Sequence, residues 1–207
     1  MTIPGRVAMR LCCELLAALD FVHNLELVHC DVKPGNILLD AEGSLLLSDF
    51  GSVVATCCAC TTGLPAKVCS MWYRAPELLL GTDNFGPAID VWGAGCCTFE
   101  LLAGYCPFPG DSEADMVFKI FRRCGAPERH SSLRALQHFW RCPNRGRKRH
   151  VFLGEVSLTR KLTKLGEFLL GRMLQTDPMW RSTAAVGALF STEQLAKYWS
   201  LRLTPPS

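Results

Sequence analysis

The sequence predicts a mainly α-helical fold with one small β-hairpin, and three observations carry that expectation. Apolar residues recur at helical spacing through residues 6–23, at Ala8, Leu11, Cys12, Leu15, Leu16, Leu19 and Val22. Residues 88–103 are apolar nearly all round, the pattern of a helix buried on every side. Between them lie two short apolar runs, Ile37-Leu38-Leu39 and residues 44–47, with Ala41-Glu42-Gly43 as the turn that pairs them.

The remaining elements follow in order. Gly35-Asn36 leads into the first strand, and Asp49-Phe50-Gly51 forms a turn after the second. Residues 53–67 are rich in small residues, Thr and Cys, with Gly63 and Pro65, and read as a mobile loop. Residues 113–124 predict a further helix, closed by Gly125-Ala126-Pro127. Residues 130–152 are polar, irregular and basic. Residues 162–174 read as helical, and Asp177-Pro178 opens a terminal element ending near Phe190. Neither an internal repeat nor a linker divides the chain. The expectation is one domain over residues 1–190 and a tail over 191–207, frayed at its end.

Bulk properties narrow the function classes. The length of 207 residues suffices for one domain with a sizeable core. Apolar residues at 49% and charged residues at 20% fit a globular chain rather than a disordered one. A net charge of +3 gives composition no case for nucleic acid or membrane. The most apolar stretch, residues 89–102, holds Asp90 and Glu100 and is too short to span a bilayer. Residues 1–10 lack the apolar run of a secretory signal, so an intracellular protein of cytoplasm, nucleus or both is expected. The twelve cysteines mostly sit inside apolar patterns, as Cys12, Cys13, Cys96 and Cys97 do, and read as reduced, buried thiols. Cys57 and Cys60 form one C-x-x-C, but a structural zinc needs a second ligand pair and no His lies near.

Three short motifs carry the chemistry. His29-Cys30-Asp31-Val32-Lys33-Pro34-Gly35-Asn36 is followed by Asp49-Phe50-Gly51 and then by Ala75-Pro76-Glu77. In this order and spacing they resemble the catalytic loop, metal-binding turn and activation-segment end of a eukaryotic protein kinase. Phosphoryl transfer is mainly positioning and charge stabilisation, so few protein groups are needed. The resemblance implies Asp31 as the base that orients and accepts the proton of the attacking hydroxyl, and Lys33 as the cation near the transferring phosphoryl group. Asn36 and Asp49 supply oxygen ligands for magnesium. ATP and Mg²⁺ are therefore the expected cofactors, with Lys33, Asn36, Leu38 and Asp49 on the nucleotide side and Leu38 under the adenine. His29 and Phe50 match structural spine positions whose ordinary reading is core packing.

The resemblance covers nearly the whole chain. Trp72-Tyr73-Arg74-Ala75-Pro76-Glu77 is similar to the cyclin-dependent and MAP kinase group, and Asp90-Val91-Trp92 with Gly95 to the start of the kinase central helix. Phe108-Pro109-Gly110-Asp111-Ser112-Glu113 and Gly125-Ala126-Pro127 point to the cyclin-dependent type. It implies that Asp90 braces the catalytic loop and that Arg181 pairs with Glu77. It also assigns Cys69, Ser70 and Arg74 to the substrate side, where a pocket favours Ser or Thr followed by Pro. The implied fold is the C-terminal, large lobe of the protein kinase fold.

Two departures shape the functional expectation. No Gly-rich loop, strand Lys or helix Glu precedes residue 29, so the large lobe alone is expected, with little activity by itself. Cys30 stands where most of the group carries an Arg that grips an activation-loop phosphate, and Pro65 stands at the usual phosphothreonine position; Thr61 and Thr62 lie out of register. The basic run 141–150, with Arg145, Arg147, Lys148 and Arg149, reads as a solvated insert, an anion-binding or nuclear-import patch, or a docking insert as in related kinases. The leading expectation is a Ser/Thr protein kinase of cyclin-dependent type acting on protein substrates, with a cyclin-like or docking partner. The alternative is a non-catalytic, pseudokinase-like interaction module. A membrane or nucleic-acid partner is not expected.

Overall fold

The computed structural model describes residues 3–56, 70–128, 131–136, 138–139 and 162–186. The chain begins with α1 (Gly5–Asn24), whose buried face is the apolar stripe of the sequence, from Ala8 to Val22. It leads through β1 (Leu27–Val28) and a single turn at Pro34–Asn36 into the hairpin of β2 (Ile37–Leu39) and β3 (Leu45–Leu47). The hairpin is antiparallel, with Ile37 opposite Leu47 and Leu39 opposite Leu45. Gly43 closes its turn at φ +81°, a conformation with little penalty only for glycine.

β4 (Val54–Ala55) pairs antiparallel with β1, Leu27 against Ala55 and Val28 against Val54. This corrects the expectation of a loop from residue 53 onward. Thr56 extends the pairing, its N–H and hydroxyl both donating to the Glu26 carbonyl, at 2.8 and 2.5 Å. Two residues per strand carry too little pattern to be read in sequence. Residues 57–67 of that expected loop, with Cys57, Cys60, Thr61, Thr62 and Pro65, lie outside the described residues, as does Cys69 after it. So does the basic run 141–150; of the element expected to run from Asp177-Pro178 to near Phe190, residues 177–186 are described, with a single turn at Pro178–Trp180, and 187–190 are not.

The short helix α2 (Pro76–Leu79) precedes α3 (Ala88–Ala103), which runs through the centre of the molecule. Ile89, Trp92, Cys96 and Phe99 of α3 enter one apolar cluster, with Phe108, Met116 and Phe121. Val91, Ala94 and Cys97 enter a second, with Leu15, Leu16 and Leu19 of α1. A helix buried on both sides has no polar face to show, which is why its sequence is apolar all round. α4 (Glu113–Cys124) is capped by Ser112, whose hydroxyl accepts from the Asp115 N–H at 3.2 Å. Its first turn carries Glu113 and Asp115 and its last Arg122 and Arg123, each sign facing the favourable end of the helix dipole. α5 (Lys164–Met173) packs on α3 and is capped by Thr163. Cys12, Cys13, Cys30, Cys96, Cys97, Cys106 and Cys124 are free and buried. Burial pushes the Cys12 and Cys30 thiols up to about 12, which makes them poor nucleophiles. Among the described residues no helix is long and apolar enough to cross a membrane.

Candidate active site

The site is built on Asp90, in the first turn of α3 and 1% exposed. Its Oδ2 accepts from the His29 N–H at 2.8 Å and meets His23 Nε2 at 2.8 Å; its Oδ1 accepts from the Cys30 N–H at 2.9 Å. A buried carboxylate must be satisfied in this way, and satisfying it fixes two successive peptide groups of the loop. Cys30 is thereby held at φ +67°, a region that costs an L-residue about 1–3 kcal/mol and persists only where its surroundings over-determine it. Its thiol turns inward toward the Val28 carbonyl, so no cation is presented at this position. Gly93 of α3 allows the loop to sit this close: a Cβ there would lie 2.9 Å from Val32 Cβ and from the Val32 carbonyl oxygen.

On this base Asp31 gathers three side chains. Its Oδ2 accepts from Lys33 Nζ at 2.5 Å and from Asn36 Nδ2 at 3.2 Å. Its Oδ1 accepts from the Ser70 N–H at 3.0 Å and the Ser70 hydroxyl at 3.1 Å. Partial burial pushes the Asp31 carboxyl up, but Lys33 and the two Ser70 donors outweigh it and hold it below its ordinary value. The Asp31 N–H donates to His29 Nδ1 at 3.2 Å, so the ring proton sits on Nε2 and points to the Ser48 carbonyl at 3.1 Å.

Asp49 is brought near by the hairpin. The Ser48 N–H and hydroxyl donate to the Asn36 carbonyl at 2.9 and 3.0 Å, closing the strands beyond their Ile37–Leu47 pair. Asp49 itself is exposed, at φ +63°, and one carboxylate oxygen accepts from the Gly51 N–H at 3.4 Å. Asn36 directs its Nδ2 to the Asp31 carbonyl at 2.8 Å, and its Oδ1 has no donor among the described residues. Asn36 Oδ1 and the Asp49 carboxylate are hard oxygen donors of the kind magnesium takes together with phosphate oxygens. Among the described residues no group of three or more His, Cys, Asp and Glu side chains is placed to hold a metal.

The segment carrying Ser70 is clamped from several sides. Trp72 Nε1 donates to the Gly110 carbonyl at 3.0 Å, the Tyr73 hydroxyl to Glu100 Oε2 at 2.7 Å, and Arg74 Nη1 to Glu113 Oε1 at 2.6 Å. Below it, Arg181 Nη1 and Nη2 donate to Glu77 Oε1 and Oε2 at 2.7 and 2.9 Å, with both residues buried. Arg181 also donates to the carbonyls of Gln175 and Ala88, at 3.1 and 2.7 Å, and lies over the Trp92 ring at 5.2 Å. A buried ion pair persists only with its remaining donors satisfied in this manner.

Asp31, Lys33, Asn36 and Ser70 thus lie in one hydrogen-bonded group, with Asp49 tied to it through Ser48 and the hairpin. Leu38 and Phe50 are 51% and 50% exposed, and His29 is fully buried. Phe50 still meets the His29 ring edge-on, at 5.1 Å between centroids. Arg74 is buried and pairs with Glu113, which braces its segment. Cys69 lies outside the described residues. The sequence reading missed His23, Ser48, Glu100 and the partner of Arg74. Glu113 stood inside a motif already singled out, but only proximity in space connects it to Arg74.

Comparison with known proteins points to a family. The family described as Protein kinase domain matches residues 1–193. The chain is 36% identical over 174 residues to cyclin-dependent kinase C-1 of Oryza sativa subsp. japonica, covering 83% of this chain and 33% of that protein. It is 37% identical over 176 residues to cyclin-dependent kinase C-1 of Arabidopsis thaliana, covering 83% and 34%. To cyclin-dependent kinase C-2 of Arabidopsis thaliana it is 43% identical over 115 residues, covering 56% and 22%. The chain therefore spans about a third or less of the length of these curated relatives.

Proposed function

Because the chain belongs to the protein kinase domain family, we propose that it carries the phosphoryl-transfer centre of a Ser/Thr protein kinase of cyclin-dependent type. The observation behind this reading is the Asp31 carboxylate, which faces Lys33 Nζ at 2.5 Å and Ser70 Oγ at 3.1 Å. Asp31 orients the acceptor hydroxyl and takes its proton, which its ionised state allows. Lys33 balances charge beside it. Asn36 and Asp49 would hold Mg²⁺ with ATP; the ion, when bound, offsets negative charge on the phosphates. Leu38, exposed on β2, would lie against the adenine.

Ser70 and Arg74 bound the substrate side with Cys69, and the acceptor is Ser or Thr followed by Pro. Proline lacks an N–H, so it suits a pocket that offers no acceptor for one. A cyclin-like or docking partner and an intracellular location, cytoplasm or nucleus, belong to the same proposal. It is tested by joining the chain behind the small lobe of a similar cyclin-dependent kinase C. Transfer of radiolabelled phosphate from ATP to a Ser-Pro peptide is expected, with little transfer to the Ser-Ala analogue. A chimaera that folds and binds ATP but transfers nothing would refute the reading, and equal transfer to both peptides would refute the proline preference.

A further inference from the structure

The second apolar cluster, away from the phosphoryl-transfer centre, gathers sulfur from three helices. Cys12 comes from α1, Cys97 from α3 and Met173 from the end of α5, and all three are buried. The Cys12 thiol donates to Met173 Sδ at 3.8 Å, between residues 161 apart in sequence. Cys97 is the neighbour of Thr98, whose hydroxyl lies within hydrogen-bond reach of the Cys12 thiol. Burial holds the Cys97 thiol well above its ordinary value, and charge on Glu100, Cys106 or Cys12 would push it further the same way. The other buried members of the cluster are Leu, Val, Ala and Met9. Thiol and thioether are therefore the ligands this place supplies. Two sulfurs bound at about 2.3 Å to one tetrahedral ion lie about 3.8 Å apart, which is the spacing of Cys12 and Met173.

We propose that Cys12, Cys97 and Met173 form a binding site for one soft monovalent cation, Cu(I). Thiolate and thioether together select Cu(I), whereas magnesium and calcium take oxygen. Structural zinc takes four Cys or His ligands, more than this place holds. On binding, a cysteine forms a Cu–S bond and its thiol proton leaves for solvent; Met173 adds a lone pair and loses no proton. No oxidation state changes. Cu⁺ with one thiolate is neutral, so the burial that keeps the bare thiols protonated does not oppose the complex. Val32 of the loop that carries Asp31 packs in the same cluster. An ion joining α1, α3 and α5 there would stiffen the floor of that loop.

The test needs no catalysis, so its outcome is separate from that of the kinase reading. The full chain carries Cys57→Ser, Cys58→Ser, Cys60→Ser, Cys69→Ser and Cys142→Ser, so that these thiols do not compete. It is titrated without oxygen with Cu(I) held by a coloured chelator, and one equivalent of copper should pass to the protein. The Met173 methyl resonance should move on addition of Cu(I) and stay in place with Zn(II), a measurement that needs no change at the site. Met173→Leu, which nearly conserves volume, should weaken binding by about tenfold or more, and Cys12→Ala should weaken it further. Cu(I) should raise the thermal midpoint of the parent chain, and that rise should be lost in Cys12→Ala. With selenomethionine incorporated, X-ray absorption at the copper edge should show a selenium neighbour that Met173→Leu removes. Loss of packing alone would not remove it. No uptake of copper, an unmoved Met173 methyl, a selenium neighbour that survives Met173→Leu, or unchanged affinity in Cys12→Ala would each overturn the proposal.

Discussion

Asp31 and Asp90 are carboxylates that grip the same stretch of chain, and they differ in what remains once their hydrogen bonds are counted. Asp90 is 1% exposed and its donors are the His29 and Cys30 peptide groups and the His23 ring. Its charge holds two backbone groups and the His23 ring. The Asp31 side chain is 13% exposed and its donors are mostly side chains, on Lys33, Asn36 and Ser70. Those donors can be rearranged or exchanged for a substrate hydroxyl. The Glu77–Arg181 pair lies at the same extreme as Asp90, closed on itself and on carbonyls. A charge with fixed, complete partners is scaffold, and one with exchangeable partners at a surface is available for chemistry.

The largest effects should fall on opposite readouts. In the chimaera described above, Asp31→Asn should lower phosphate transfer by about 10²–10⁴-fold, with the near-ultraviolet circular dichroism unchanged. A near-parental rate would erase the functional side of the contrast. Arg181→Ala leaves the Glu77 carboxylate buried and alone, and should cost about 3–5 kcal/mol in denaturant unfolding. Replacing Glu77 and Arg181 together by apolar residues of similar volume should cost less than Arg181→Ala. If the double replacement were the worse of the two, packing rather than stranded charge would be the cause.

Asp90→Asn sharpens the comparison within one carboxylate. The amide keeps one acceptor and turns a donor toward groups that are themselves donors, so a loss of about 1.5–3 kcal/mol is expected. The loop should lose protection from amide exchange first at His29 and Cys30. Exchange unchanged there would show that Asp90 does not hold the loop.

The smallest effect is a titration. The Asp31 carboxyl lies below its ordinary value of 3.8, because Lys33 and Ser70 outweigh the upward push of burial. The stabilisation this gives is present above that ordinary value and is lost as pH falls through the lower folded value. Ser70→Ala removes the hydroxyl donor but not the N–H, so the carboxyl should titrate higher, followed by carbon NMR. No movement would mean that the hydroxyl bond contributes nothing to holding the charge.

The sequence alone determined the helices and the hairpin, because periodicity and turn chemistry are local. The predicted ranges 6–23, 88–103 and 113–124 compare with observed helices Gly5–Asn24, Ala88–Ala103 and Glu113–Cys124. It also determined which residues are chemically equipped, since Asp31, Lys33, Asn36 and Asp49 stand at motif spacings. The tertiary structure decided what each charge is for. His23 beside Asp90, Glu113 beside Arg74 and Glu100 beside Tyr73 are separated by 67, 39 and 27 residues. It alone shows that Leu38 and Phe50 are half exposed. The physical reason is range: propensity and capping act within a turn or two of chain. Desolvation and ion pairing depend on what lies within a few ångströms in space, and only the packing of α1, the hairpin and α4 around α3 sets that.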